Sequence, residues 1–206
     1  MKTTENYLAE IKEIRKMMEG SSRFLSLSGL SGILIGIYAL IGAFAAYQML
    51  HMRPPYPTLF NGEIVAQLFV LAAIILLLSL ITILLLTYRR ALKAGKKIRN
   101  PGSRLMLLNL SIPLISGGLL LLIFVFRNHF EIVVPGSLIF YGLALVNSAK
   151  FTRQEIFYLG IFEVSLGVLA ALAPSLQLLF WALGFGVLHI IYGAVMYFRY
   201  ERAANS

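Results

Sequence analysis

Residues 64–87 read IVAQLFVLAAIILLLSLITILLLT, without a single charge, and residues 88–104 read YRRALKAGKKIRNPGSR, with seven cations and no acid. A transmembrane helix needs about 20 predominantly apolar residues to cross a hydrocarbon core ~30 Å thick. The first stretch is long enough to span and is apolar on every face, so it does not read as the amphipathic helix of a soluble domain. The second is the type of basic loop that stays on the cytoplasmic side of a membrane. Together they predict a membrane-spanning chain.

Working outward from that pair, five more stretches are bounded by charged or titratable residues. Residues 24–50 lie between Arg23 and His51, 105–126 between Arg104 and Arg127, and 132–149 between Glu131 and Lys150. Residues 156–173 carry one charge, Glu163, and residues 176–198 carry only His189. The expected fold class is therefore an all-α integral membrane protein with six transmembrane helices. Their spans are about 24–50, 64–87, 105–126, 132–149, 156–173 and 176–198, forming one membrane domain over 24–198. Pro113 with Gly117 and Gly118, and Pro135 with Gly136, mark expected kinks or local unwinding. Ahead of the first span, Tyr7, Leu8, Ile11, Ile14 and Met18 recur three and four apart with Lys and Glu between them. That pattern predicts an N-terminal amphipathic cytoplasmic helix within 1–23, resting on the membrane or pairing with a partner helix. With four Glu ahead of a long apolar run, this segment does not read as a cleaved signal peptide. Residues 199–206 read as a cytoplasmic tail.

Charge orients the spans. Of 18 Lys and Arg, all but Arg53 and Arg127 fall on one side of a six-span alternation. The excess of Lys and Arg in cytoplasmic loops then puts both termini in the cytoplasm. Arg89, Arg90, Lys93, Lys96, Lys97, Arg99 and Arg104 form the basic loop. They are expected to contact anionic lipid headgroups, at about 1 kcal/mol per charge near the surface.

Composition closes off other classes. The chain has 206 residues, 59% of them apolar and 13% charged, where a soluble domain carries about 25% charged. Mean hydropathy is +0.81. The net charge of +9 is accounted for by topology, and no recognition fold remains to read nucleic acid, so no nucleic-acid partner is expected. There is no cysteine and no aspartate, which removes thiolate chemistry and most schemes built on convergent carboxylates. No G-x-S-x-G, H-E-x-x-H, Walker loop or dinucleotide fingerprint occurs, and no catalytic residue is assigned. Met49, His51 and Met52 are residue types that suit Cu(I), but their spacing matches no metal motif. Neither metal nor cofactor is expected.

Two sets of residues stand out within the spans. Ser28, Gly32 and Gly36 in the first span, and Gly186 and Gly193 in the sixth, are small residues at helical spacing that let backbones approach closely. They are expected to pack helices within the bundle, with a homodimer face on the first span as the other reading. Glu163 and His189 are the second set. A carboxylate at membrane depth costs at least a few kcal/mol unless it is paired, protonated or facing water. The two residues flank the turn near position 176 symmetrically, so an antiparallel hairpin brings them to matching depth. At 1.5 Å per residue Glu163 lies roughly 12 Å from Glu155, in the cytoplasmic half. A Glu–His contact is then either a structural clasp or, since His titrates near neutrality, a proton-sensitive or substrate-binding pair. Tyr141, Asn147 and Tyr192 are candidates to extend the polar cluster.

The stretch from YGLALVNSAKFTRQEIFYLG through WALGFGVLHIIYGAVMYFRYER (Tyr141 to Arg202) carries a resemblance to a family of uncharacterised bacterial six-span inner-membrane proteins. It rests on Asn147, Lys150, Gly160, Glu163, Gly184, Gly186, His189, Gly193 and the aromatic-basic end. It implies fold size and a bacterial inner-membrane location, and no activity. A second likeness, to HdeD-type acid-stress membrane proteins, rests on the rhythm of Gly160, Gly167, Pro174, Trp181, Gly184 and Gly193. The expected function is that of a non-enzymatic sensor, stress or scaffold component acting through a cytoplasmic protein partner or through homo-oligomerisation. The alternative is a small proton-linked transporter or channel using Glu163 and His189.

Overall fold

The computed structural model describes residues 28–51, 62–93 and 101–202, together with position 11. The rest of the amphipathic helix expected within 1–23, the outer-loop residues 52–61, Lys96, Lys97, Arg99 and the positions after 202 lie outside the described residues. Among the described residues the chain is all-helical and has no strand. Six helices are long and apolar enough to cross a membrane. They are α1 (Gly29–His51), α2 (Gly62–Lys93), α3 (Pro101–Phe126), α4 (Val133–Ala149), α5 (Gln154–Leu172) and α6, which occupies Pro174–Glu201.

Helix α6 is not uniform. After a 3-10 turn at Pro174–Leu176 it runs α-helical over Gln177–Trp181, π-helical over Ala182–Leu188, α-helical over His189–Met196 and π-helical again over Tyr197–Glu201. The expected tail from 199 is thus helical through Glu201. The unwinding expected at Pro113, Gly117 and Gly118 does not occur, because α3 stays α-helical throughout. Pro135 and Gly136 lie in the first turn of α4, where a missing N–H is tolerated. The departure from α geometry falls in the Ala182–Leu188 and Tyr197–Glu201 segments of α6, neither of which contains a proline.

The packing order is α2 on α1, α1 on α6, α6 on α5 and α4, α5 on α4, and α4 on α3. Four helices, α1, α4, α5 and α6, therefore enclose the core. In their most apolar windows only 6% of α2 and of α3 is buried, against 44% of α1. Leu76, Leu77, Leu84, Leu107, Ile112 and Ile123 stand outward from these two peripheral helices. Such all-round apolar exposure suits lipid contact and would be unfavourable in water.

Small residues set the closest contacts. A Cβ placed on Gly32 would lie 2.9 Å from the Gly193 Cα, so α1 and α6 touch backbone to backbone. Ser28, Gly32, Gly36, Gly186 and Gly193 are all buried in this seam. The face considered above for a homodimer is thus turned toward α6 of the same chain. Between α4 and α5 the approach is reciprocal: a Cβ on Gly142 would meet the Gly160 carbonyl at 2.6 Å, and one on Gly160 the Gly142 carbonyl at 2.7 Å.

Helix α3 ends on Asn128, whose φ is +63°. The Asn128 N–H donates to the Val125 carbonyl and the His129 N–H to the Phe124 carbonyl, both at 2.9 Å. This is the left-handed helix stop in which asparagine substitutes for glycine.

Candidate functional site: a buried tyrosine, histidine and glutamate

Glu163 lies at the middle of its helix, α5, nine residues from either end of Gln154–Leu172. Its side chain is 0% exposed. Space for the carboxyl exists because residue 184 on α6 is glycine: a Cβ there would lie 2.5 Å from Glu163 Oε2 and 2.6 Å from Leu138 Cδ2. His189 follows the first π segment of α6, and its Nδ1 lies 3.4 Å from Glu163 Oε1. The hairpin symmetry about position 176 thus translates into side-chain proximity.

The hydrogen bonds fix how the imidazole is used. Its Nδ1–H donates to the Gly184 carbonyl at 3.0 Å, five residues earlier on α6. Its Nε2 lies 2.7 Å from the Tyr141 hydroxyl. With only acceptors at Nδ1, that nitrogen carries a proton, and the hydroxyl donates to Nε2 when the ring is neutral or accepts from it when the ring is charged. Neither carboxyl oxygen of Glu163 has a hydrogen-bond partner among the described residues. A buried carboxyl with one neighbour at 3.4 Å is an uncommon arrangement, since buried polar groups are nearly always satisfied. Aromatic rings close one side: Trp181 and Phe185 stand 5.1 Å apart, Phe185 stands 5.1 Å from Tyr141, and Tyr141 stacks on His189 at 5.5 Å.

Of the three residues named as candidates to extend the cluster, the structure brings in Tyr141 alone. Tyr192 packs on the core cluster of Leu145, Ile156 and Leu159, and its hydroxyl has no hydrogen-bond partner among the described residues. Asn147 turns the other way and donates from Nδ2 to the Asn109 carbonyl on α3 at 2.8 Å. Asn109 is four residues before Pro113, so this carbonyl is the one that loses its helical donor to the proline ring.

Two clasps at the basic end of the bundle were not anticipated. Glu201 accepts from Arg90 of α2 at 2.8 Å, from the Ser28 hydroxyl at 3.5 Å and from the Gly29 N–H that opens α1. One carboxylate therefore ties α1, α2 and α6 together. Arg90, counted above with the lipid-facing cations, is turned inward by this contact. Arg89 remains exposed, as does Arg104. Glu155 accepts from Tyr200 at 2.8 Å and from Arg199 at 3.0 Å, joining α5 to α6. The available signal was that these are the only two acids on the basic side of the spans beyond residue 23. At the other end His129 pairs with Glu131 at 3.2 Å, and His51 Nδ1 lies 3.0 Å from the Tyr47 carbonyl of its own helix. Comparison with protein-family models, curated proteins and solved structures finds no match.

Proposed function

We propose that this chain is a multi-pass protein of the bacterial inner membrane, with both termini cytoplasmic. It acts as a non-enzymatic sensor or stress component through association with a protein partner or a second copy. The Tyr141–His189–Glu163 cluster is its proton-responsive element. The observation that carries this reading is the Glu163 carboxyl, fully buried at the middle of α5, 3.4 Å from the His189 imidazole and without a hydrogen-bond partner among the described residues. A neutral acid beside a neutral imidazole, or a carboxylate beside an imidazolium, leaves no net charge in the core. Gain or loss of one proton leaves a single charge there, and an uncompensated charge in such a pair costs about 3–5 kcal/mol. The surrounding contacts belong to α4, α5 and α6, so relief of that charge moves the helices that make up the core. The two resemblances are in keeping with such a protein. The cations at the basic end supply anionic-lipid contact and the orienting charge.

Native mass spectrometry of protein extracted gently from its own membranes, at a series of pH values, tests this. A change in bound partner or subunit count with pH that is lost in Glu163→Gln supports the reading. A pH response that persists in Glu163→Gln overturns it. The unpartnered carboxyl also favours a second reading, a small proton-linked transporter or channel with the same pair on its path. Proton or solute flux in liposomes that collapses in Glu163→Gln would put transport first.

A further inference from the structure

A cleft of about 560 Å³ opens at the basic end, between the α4–α5 turn and the end of α6. Lys150, Thr152, Arg153, Gln154, Arg199 and Tyr200 supply its polar wall, with Glu155 beside them and Val146 and Phe157 on the apolar side. The charges are unequal. Glu155, the one acid in the wall, is engaged with Arg199 and Tyr200. Lys150 and Arg153 form no salt bridge among the described residues, although the Arg153 charge reaches the Glu155 carboxylate. Arg153 is half-buried, with its guanidinium 4.1 Å over the Tyr200 ring. The Lys150 ammonium lies 5.3 Å from the Phe151 ring. An arginine held over an aromatic ring keeps N–H groups available for oxyanions, and arginine and lysine are the usual partners of phosphate.

We infer that this cleft binds a phosphate-bearing anion between Lys150 and Arg153. A membrane lipid headgroup and a soluble phosphate ester share that chemistry. The apolar side fits the first source, because Phe157 stands outward on the flank of α5 where an acyl chain would run. The site is separate from the Glu163 cluster, and its test does not depend on what that cluster does.

The experiment is native mass spectrometry and thermal-shift titration of the full chain in a neutral detergent. The probes are phosphatidylglycerol, phosphatidylcholine and glycerol 3-phosphate, and the variants are Arg153→Ala, Lys150→Ala, Arg153→Lys and Arg104→Ala. The expected result is saturable phosphatidylglycerol binding that weakens about tenfold or more in Arg153→Ala and in Lys150→Ala. Arg153→Lys should show a smaller loss, and Arg104→Ala, which removes one lipid-facing charge at the same end, should weaken phosphatidylglycerol binding less than Arg153→Ala does. Binding of phosphatidylglycerol without glycerol 3-phosphate identifies the lipid source. Glycerol 3-phosphate binding with the same variant pattern identifies the soluble one. No saturable binding of either probe overturns the inference. Equal losses in Arg104→Ala and Arg153→Ala also overturn it, because general surface charge would then account for the affinity. Arg153→Lys serves as the folding control, since it retains the charge and the stem over Tyr200.

Discussion

Asn147 on α4 donates its side-chain amide to the Asn109 carbonyl on α3, the one backbone acceptor that Pro113 leaves without a helical donor. In an apolar surrounding such an orphan costs several kcal/mol if nothing replaces the missing N–H. A residue that resembles part of a polar site is thus the repair of a proline in the next helix. Asn147→Leu should destabilise the protein by about 1–3 kcal/mol, the usual penalty for an unsatisfied buried acceptor. Pro113→Ala should restore much of that loss, because α3 then satisfies its own carbonyl. Unfolding in mixed micelles across the four-member double-mutant cycle checks this, and additive single effects would refute it.

The Tyr141 hydroxyl predicts a second graded effect. Tyr141→Phe removes the bond to His189 Nε2 while keeping the ring contacts with Phe185 and His189, so the loss should be about 1 kcal/mol. Glu163→Leu should cost less than that or raise stability, since the carboxyl makes no hydrogen bond among the described residues and an apolar group of similar volume suits the site. Chemical denaturation of both variants at one pH measures the pair of effects. A Glu163→Leu protein much less stable than Tyr141→Phe would mean that the carboxyl has a partner.

The α1–α6 seam gives the sharpest steric prediction. Gly193→Val places branched carbon where the Gly29 carbonyl already lies 2.6 Å from a bare Cβ, so α1 must move away. The expected loss is about 1–3 kcal/mol or more, as for other overpacked sites. Gly118→Ala, with nothing within 4 Å of its Cβ, should be neutral or slightly stabilising, because alanine is the better helix former. Thermal unfolding followed by circular dichroism compares the two directly.

Orientation is checked by reporters. A fusion after Lys97 should score cytoplasmic and one after Pro55 external, in line with the concentration of cations on one side of the spans. The reverse pattern would invert every statement about which face carries the cleft.

Much of this architecture was legible in residue types alone. Apolar runs bounded by charges marked six helices because an uninterrupted apolar stretch of about 20 residues satisfies its own backbone in lipid as a helix, whereas barrel strands are shorter and alternate. The Glu163–His189 contact followed from reflection about one turn, since both helices of a hairpin rise by the same amount per residue. Three features were not legible. The partner of Asn147 depends on which helices are neighbours, and hydropathy says nothing of that. The π segments of α6 leave no trace in composition. Arg199 and Arg202 looked like the start of a solvated tail. Glu201 and Tyr200, interleaved with them, instead carry hydrogen bonds that keep the last turn in register with α1, α2 and α5.

The seam between Gly32 and Gly193 joins positions far apart in the order of synthesis. At about 5–20 residues per second, the ribosome finishes α1 on the order of ten seconds before α6 emerges. For that interval the small-residue groove of α1 has no native mate, and the Gly29 N–H and Arg90 await a carboxylate still to be translated. Assembly therefore finishes rather than begins at α1. A nascent chain arrested before α6 presents a glycine groove shaped to receive a helix, and a neighbouring copy's α6 fits it as well as its own. Exchange of α6 between copies is the characteristic misassembly that this topology invites.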